Sequence, residues 1–84
     1  MRHAGPEALD RLDDVLSALR AMPALKEKSR GAFYRGGRAF IHFHEDPAGL
    51  FADMRGADDF DRFEVTTKPQ RSALLAEVRR RLKD

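Results

Sequence analysis

The stretch Phe33-Tyr34-Arg35-Gly36-Gly37-Arg38-Ala39-Phe40-Ile41-His42-Phe43-His44-Glu45-Asp46-Pro47-Ala48-Gly49-Leu50-Phe51-Ala52-Asp53 decides the fold, because it contains two turns between three apolar segments. Gly36-Gly37 is a two-residue loop that tolerates the positive φ of a tight hairpin. It pairs Arg35 with Arg38, Tyr34 with Ala39 and Phe33 with Phe40. Asp46-Pro47-Ala48-Gly49 has the residues of a type I turn, with Asp first, Pro second and Gly fourth. A four-residue loop there pairs Glu45 with Leu50, His44 with Phe51, Phe43 with Ala52, His42 with Asp53 and Ile41 with Met54. Tyr34, Ala39, Ile41, Phe43, Leu50, Ala52 and Met54 then share one face. A three-residue loop would set Asp53 opposite Ile41, inside the core, and a one-residue slip inverts both faces of a strand.

Outward from this segment, Gly56-Ala57-Asp58-Asp59 is a further turn, and residues 60–66 form a strand with Phe63 and Val65 facing the core. A helix follows. Thr67 and Gln70 have capping-box spacing, Pro69 lies in the first turn, and Leu74, Leu75, Val78 and Leu82 make an apolar stripe. Arg79, Arg80, Arg81 and Lys83 sit at its C-terminal end, where the helix dipole favours cations. On the other side, Gly5 caps a helix that has Pro6 at its first position. Ala8, Leu9, Leu12, Val15, Leu16 and Leu19 fall on one face of it, and Pro23 stops it. Residues 23–30 read as a polar connection. The expected fold is α+β: N-terminal helix, an antiparallel meander of three to four strands, C-terminal helix, with both helices on one sheet face in a two-layer sandwich. Residues 1–84 form a single domain.

Composition limits the function. The chain has 84 residues, 42% of them hydrophobic and 36% charged, a globular balance with room for one core. There is no apolar run of membrane-spanning length, so no membrane role is expected. Met1-Arg2-His3-Ala4-Gly5-Pro6 lacks the apolar stretch of a signal peptide, and a cytoplasmic protein is expected. The absence of cysteine excludes disulfides and thiolate metal sites. A net charge of +2 is too mild to dictate a nucleic-acid partner.

By these registers Phe33, Arg35, Arg38, Phe40, His42, His44, Phe51, Asp53 and Arg55 project away from the helices. A sheet face mixing phenylalanines with arginines and histidines is unlike a plain solvated one, and an apolar patch rimmed by polar groups marks a contact surface. A protein partner or a second copy of the chain is the expected occupant, and Arg35, Arg38, Phe40, His42, His44, Phe51, Asp53 and Arg55 form the candidate binding face. On this reading Phe40→Ala weakens binding and barely changes stability. Aromatics interleaved with arginines can also stack bases and meet phosphates, so nucleic acid is the alternative. Three consecutive helical arginines point in three directions, however, and Asp58, Asp59, Asp61 and Glu64 would repel a phosphate backbone.

His42 and His44, two apart on a strand, point the same way, and Asp53 beside His42 could serve as a third metal ligand. A cross-strand His–Asp hydrogen bond explains the same residues, and Asp53 can equally pair with Arg62. No metal and no cofactor is expected. Catalysis has less support. Ser17, Ser29 and Ser72 lack a nucleophile's context, and Gly36-Gly37 is a hairpin and not a phosphate loop. A His/Asp metal-dependent enzyme is the remaining alternative to a binding module.

The hairpin around Gly36-Gly37 has a basic residue and, two positions later, an aromatic in Arg38-Ala39-Phe40. With the Leu50-Phe51-Ala52-Asp53 strand and the closing helix, it resembles the MmcQ/YjbR-like family over residues 31–82. The run from Ala39 to Asp53, with His42-Phe43-His44-Glu45-Asp46-Pro47, is similar to a separate group of short bacterial proteins distantly related to that family. The resemblance implies a bacterial protein with a frataxin-like fold and a suggested DNA-binding role. It implies no catalytic residue.

Overall fold

In the computed structural model, which describes residues 1–83, the chain runs β1 (Arg2–His3), α1 (Pro6–Arg11), α2 (Asp13–Arg20), β2 (Lys26–Ser29), β3 (Ala32–Arg35), β4 (Arg38–Asp46), β5 (Gly49–Arg55), β6 (Phe60–Glu64) and α3 (Lys68–Leu82). The fold is α+β on an antiparallel sheet, as expected, but the sheet has six strands instead of three or four. Strands β2 to β6 lie side by side in chain order, and β1 pairs with β4 along the edge that β3 leaves uncovered. The two additional strands carry no apolar alternation. β1 is two residues long, and Lys26-Glu27-Lys28-Ser29 is wholly polar, the composition of a protected sheet edge.

The second turn closes as the sequence requires. Asp46 Oδ1 accepts the Ala48 N–H at 2.7 Å. Gly49 adopts φ 149°, and a Cβ there would collide with Thr66 Oγ1, so only glycine fits. The β4–β5 register follows: Glu45 opposite Leu50, His44 opposite Phe51, Phe43 opposite Ala52, His42 opposite Asp53 and Ile41 opposite Met54.

The first hairpin departs from expectation at one residue. Arg35 pairs with Arg38 and Tyr34 with Ala39, but Phe33 pairs with Ile41, not Phe40, so the register shifts and β4 bulges by one residue. A bulge inverts the side-chain parity of everything on its far side. Phe33 and Phe40, read above as open-face residues, are therefore buried at 1% and 4% exposure. Tyr34 and Ala39, read as core, are only half-buried. Arg35 moves with Phe33 to the helix side, where its Nη1 donates to the Arg81 carbonyl of α3 at 3.3 Å. Burying two large apolar side chains contributes about 1.5–3 kcal/mol each, more than the roughly 0.5–1.5 kcal/mol of a disrupted ladder bond.

The N-terminal helical segment is divided at Leu12, because Asp14 Oδ1 takes the Val15 N–H in place of a helical carbonyl. Leu12, Val15, Leu16 and Leu19 still share one core with Leu74 and Val78 of α3 and with Ile41, Phe43, Ala52 and Met54 on one face of the sheet. The capping box of α3 forms as read, with Gln70 N–H donating to Thr67 Oγ1 and Thr67 N–H to Gln70 Oε1. Among the described residues, no helix is long and apolar enough to cross a membrane.

The burial of Phe40 reverses the expected behaviour of its truncation. Phe40→Ala should cost about 3–5 kcal/mol of unfolding free energy, the scale of a core phenylalanine. Chemical denaturation showing a loss below about 1 kcal/mol would place the ring outside the core.

Candidate functional site

The bulge divides the candidate binding face in two. His42, His44, Phe51, Asp53 and Arg55 stand on the side of the sheet away from the helices, as read from the sequence. Arg35 and Phe40 do not. Nor does Arg38, which is paired with Arg35 and lines a cavity at the end of the sheet beside the C-terminal turns of α3.

On the open face the residues opposite one another across β4, β5 and β6 are His42, Asp53 and Arg62. Asp53 is 8% exposed. Arg62 forks onto it, Nε to Oδ1 and Nη2 to Oδ2, both at 2.8 Å. These bonds, outweighing burial, hold the Asp53 carboxyl below its ordinary range. His44 Nε2 lies 3.2 Å from Asp53 Oδ2 and His42 Nε2 lies 3.8 Å from the same oxygen. The His44 nitrogen is buried, yet its geometry makes no hydrogen bond. Burial is the main cause lowering both imidazoles below 6.5, with neighbouring positive charge adding to it and Asp53 opposing it.

Two further rings complete this cluster. His3, delivered by β1, stacks on His44 at 4.7 Å between centroids and lies 5.8 Å from His42. Phe60 meets His42 edge-on at 5.1 Å and carries the Arg55 guanidinium on its face at 4.8 Å. Neither His3 nor Phe60 was expected here. The pairing that places His3 involves two residues with no strand pattern, so nothing in the sequence announces it.

The second region is a cavity of about 510 Å³ where the start of β4, the end of β5 and the end of α3 meet. Arg35, Arg38, Arg55, Arg80 and Arg81 line it, and Phe40 supplies an apolar part of its wall. Among the described residues Asp61 is its one acidic lining residue, paired with Arg81 at 2.9 Å, and Glu77 stands behind Arg80 and Arg81. Hydrogen bonds from those two arginines hold Glu77 down to about 2. Three of the arginines also brace the structure. Arg55 Nε donates to the Ala39 carbonyl at the bulge, Arg81 Nη1 to the Arg55 carbonyl, and Arg35 to the Arg81 carbonyl. The arginines of α3 thus meet those of the hairpin, although in sequence they read only as cations favoured at a helix C-terminus. Comparison with known proteins gives no family-model match and no significant match among curated proteins or solved structures.

The lowered histidines give a signed pH dependence. Asp53, Arg62, His3 and Phe60 surround His42 and His44 from β5, β6 and β1. The unfolded chain takes up protons near 6.5, and the folded chain takes them up only at lower pH. Stability therefore falls as pH drops from 7 through 6 in chelated buffer. Loss of the Asp53 contribution comes later, below 3.8. Denaturation midpoints of His42→Asn should show a shallower decline between pH 7 and 5 than the parent. An unchanged slope would contradict this placement of the imidazoles.

Proposed function

We propose that the protein is a non-enzymatic binding module that recognises a phosphate-bearing anion at the arginine cavity. The observation that carries this reading is the convergence of five arginines on one cavity whose described lining holds a single carboxylate. Guanidinium groups present planar forks that match phosphate oxygens, and clustered positive charge in a concave site raises the local anion concentration. Backbone carbonyls fix the positions of Arg35, Arg55 and Arg81, and Arg81 also pairs with Asp61 and Glu77.

An apolar contact with a protein partner or a second copy draws less support. With Phe33 and Phe40 in the core, the aromatic part of the open face reduces to Phe51, Phe60 and Tyr34, all partly buried. The phosphate could belong to a small metabolite or to a nucleic acid, the role suggested for MmcQ/YjbR-like proteins.

Amide-resolved NMR titration separates these sources, with pyrophosphate and a short mixed-sequence single-stranded oligonucleotide as probes at low salt. Shifts should centre on Arg38, Ala39, Gly56 and Ala57 and reverse as salt is raised. Response to both probes would assign a free phosphate compound, and response to the oligonucleotide alone would assign nucleic acid. Arg38→Ala should weaken binding at least about tenfold, the equivalent of roughly 1.5 kcal/mol for one charged hydrogen bond. Absence of shifts at the cavity with either probe would overturn the proposal.

A further inference from the structure

We propose that His42, His44 and Asp53, with His3 at the mouth, form a binding site for a divalent transition-metal ion of the zinc class. The site shares no residue with the arginine cavity, so either assignment can fail without the other.

Convergence is the first argument. A simple orienting hydrogen bond needs one imidazole and one carboxylate. Here two imidazoles bring Nε2 near the same oxygen, Asp53 Oδ2, at 3.2 and 3.8 Å. A tetrahedral ion with bonds near 2.0–2.2 Å holds its ligand atoms about 3.4 Å apart. The two observed separations lie on either side of that value, and the three donor atoms all fall within 4.8 Å of one another.

The second argument is the orphaned nitrogen. His44 Nε2 is buried and makes no hydrogen bond despite its closeness to Asp53. A buried polar atom without a partner is a cost that native structures rarely leave standing. Coordination of a cation by that lone pair would relieve it. Asp53 retains capacity for the same ion, because a carboxylate has about four lone-pair sites and Arg62 uses two. Arg62 meanwhile fixes the orientation of the carboxylate, as the outer partners of metal ligands do.

The third argument is the placement of His3. A ligand on a strand of two residues needs restraint, and three contacts provide it. His3 is paired with His44, the Ala4 N–H donates to the Phe43 carbonyl at 3.0 Å, and the Gly5 N–H donates to Glu45 Oε2 at 2.6 Å. The imidazole is thereby held against His44 at the mouth of the site, beside the three converging donor atoms. A set of imidazoles and one carboxylate, without thiolates, suits zinc and its first-row neighbours and is a poor match for magnesium or calcium, which take oxygen ligands.

Calorimetric titration of the full chain with Zn²⁺, and with Mg²⁺ and Ca²⁺ for comparison, tests the assignment. One zinc per chain should bind with a dissociation constant at or below micromolar, with no comparable uptake of the other two ions. His44→Asn and Asp53→Asn should each weaken zinc at least about 100-fold, and His3→Ala by about tenfold, given that loss of even an outer partner costs 10–100-fold. Should the buried variants fail to fold by circular dichroism, His3→Ala and the more exposed His42→Asn decide the question. In both, NMR of the remaining imidazoles should report reduced zinc response. No saturable uptake, or uptake that none of these substitutions changes, would overturn the proposal.

Discussion

The pairing of β4 with its neighbours is the constraint on which the rest of the structure depends. From Ile41 to Asp46 it holds a regular register against β5, fixed by the turn at residues 46–49 and by the glycine that Thr66 approaches. Below Ile41 one extra residue enters the strand at Phe40. Parity does the remaining work. Above the bulge, alternate residues His42 and His44 stay on the open face beside Asp53. Across it, Phe33 and Phe40 enter the core, and Arg35 moves to the helix side to meet the end of α3. One inserted residue thus converts a single mixed surface into two chemically distinct regions.

The two regions solve opposite electrostatic problems. Around Asp53 a buried carboxylate is kept ionised by a bidentate guanidinium, while burial keeps the adjacent imidazoles neutral. Neutral imidazoles beside an ionised carboxylate have lone pairs to give. At the end of the sheet, cations outnumber carboxylates among the described residues: backbone carbonyls position Arg35, Arg55 and Arg81, while Asp61 pairs with Arg81 and Glu77 with both Arg80 and Arg81. Phe60 lies between the regions, touching His42 with one edge and Arg55 with its face.

Most of the fold was legible wherever local chemistry agreed with burial. The Asp46–Gly49 turn, the Thr67–Gln70 capping box and the apolar stripes of the helices each have a sequence signature, and each forms as read. The edge strands β1 and β2 were not legible, because a polar edge needs no alternation and takes its order from its neighbour. The bulge left one trace. Phe40 and Ile41 are consecutive apolar residues in a strand that otherwise alternates, a break that a regular hairpin would have to expose. Of the candidate site, the His42–Asp53 opposition and the Asp53–Arg62 pair follow from the register. The gathering of Arg80 and Arg81 with the hairpin arginines is a tertiary fact, as is the arrival of His3, and no spacing in the sequence encodes either.

The change of parity at Phe40 is tested most directly by side-chain NMR in the presence of a soluble paramagnetic probe, which broadens protons according to their exposure. The ring signals of Phe33 and Phe40 should be protected to the same degree as those of Phe43, with Phe51 and Phe60 broadened more strongly. Equal broadening of Phe40 and Phe51 would return Phe40 to the open face and remove the division between the two regions.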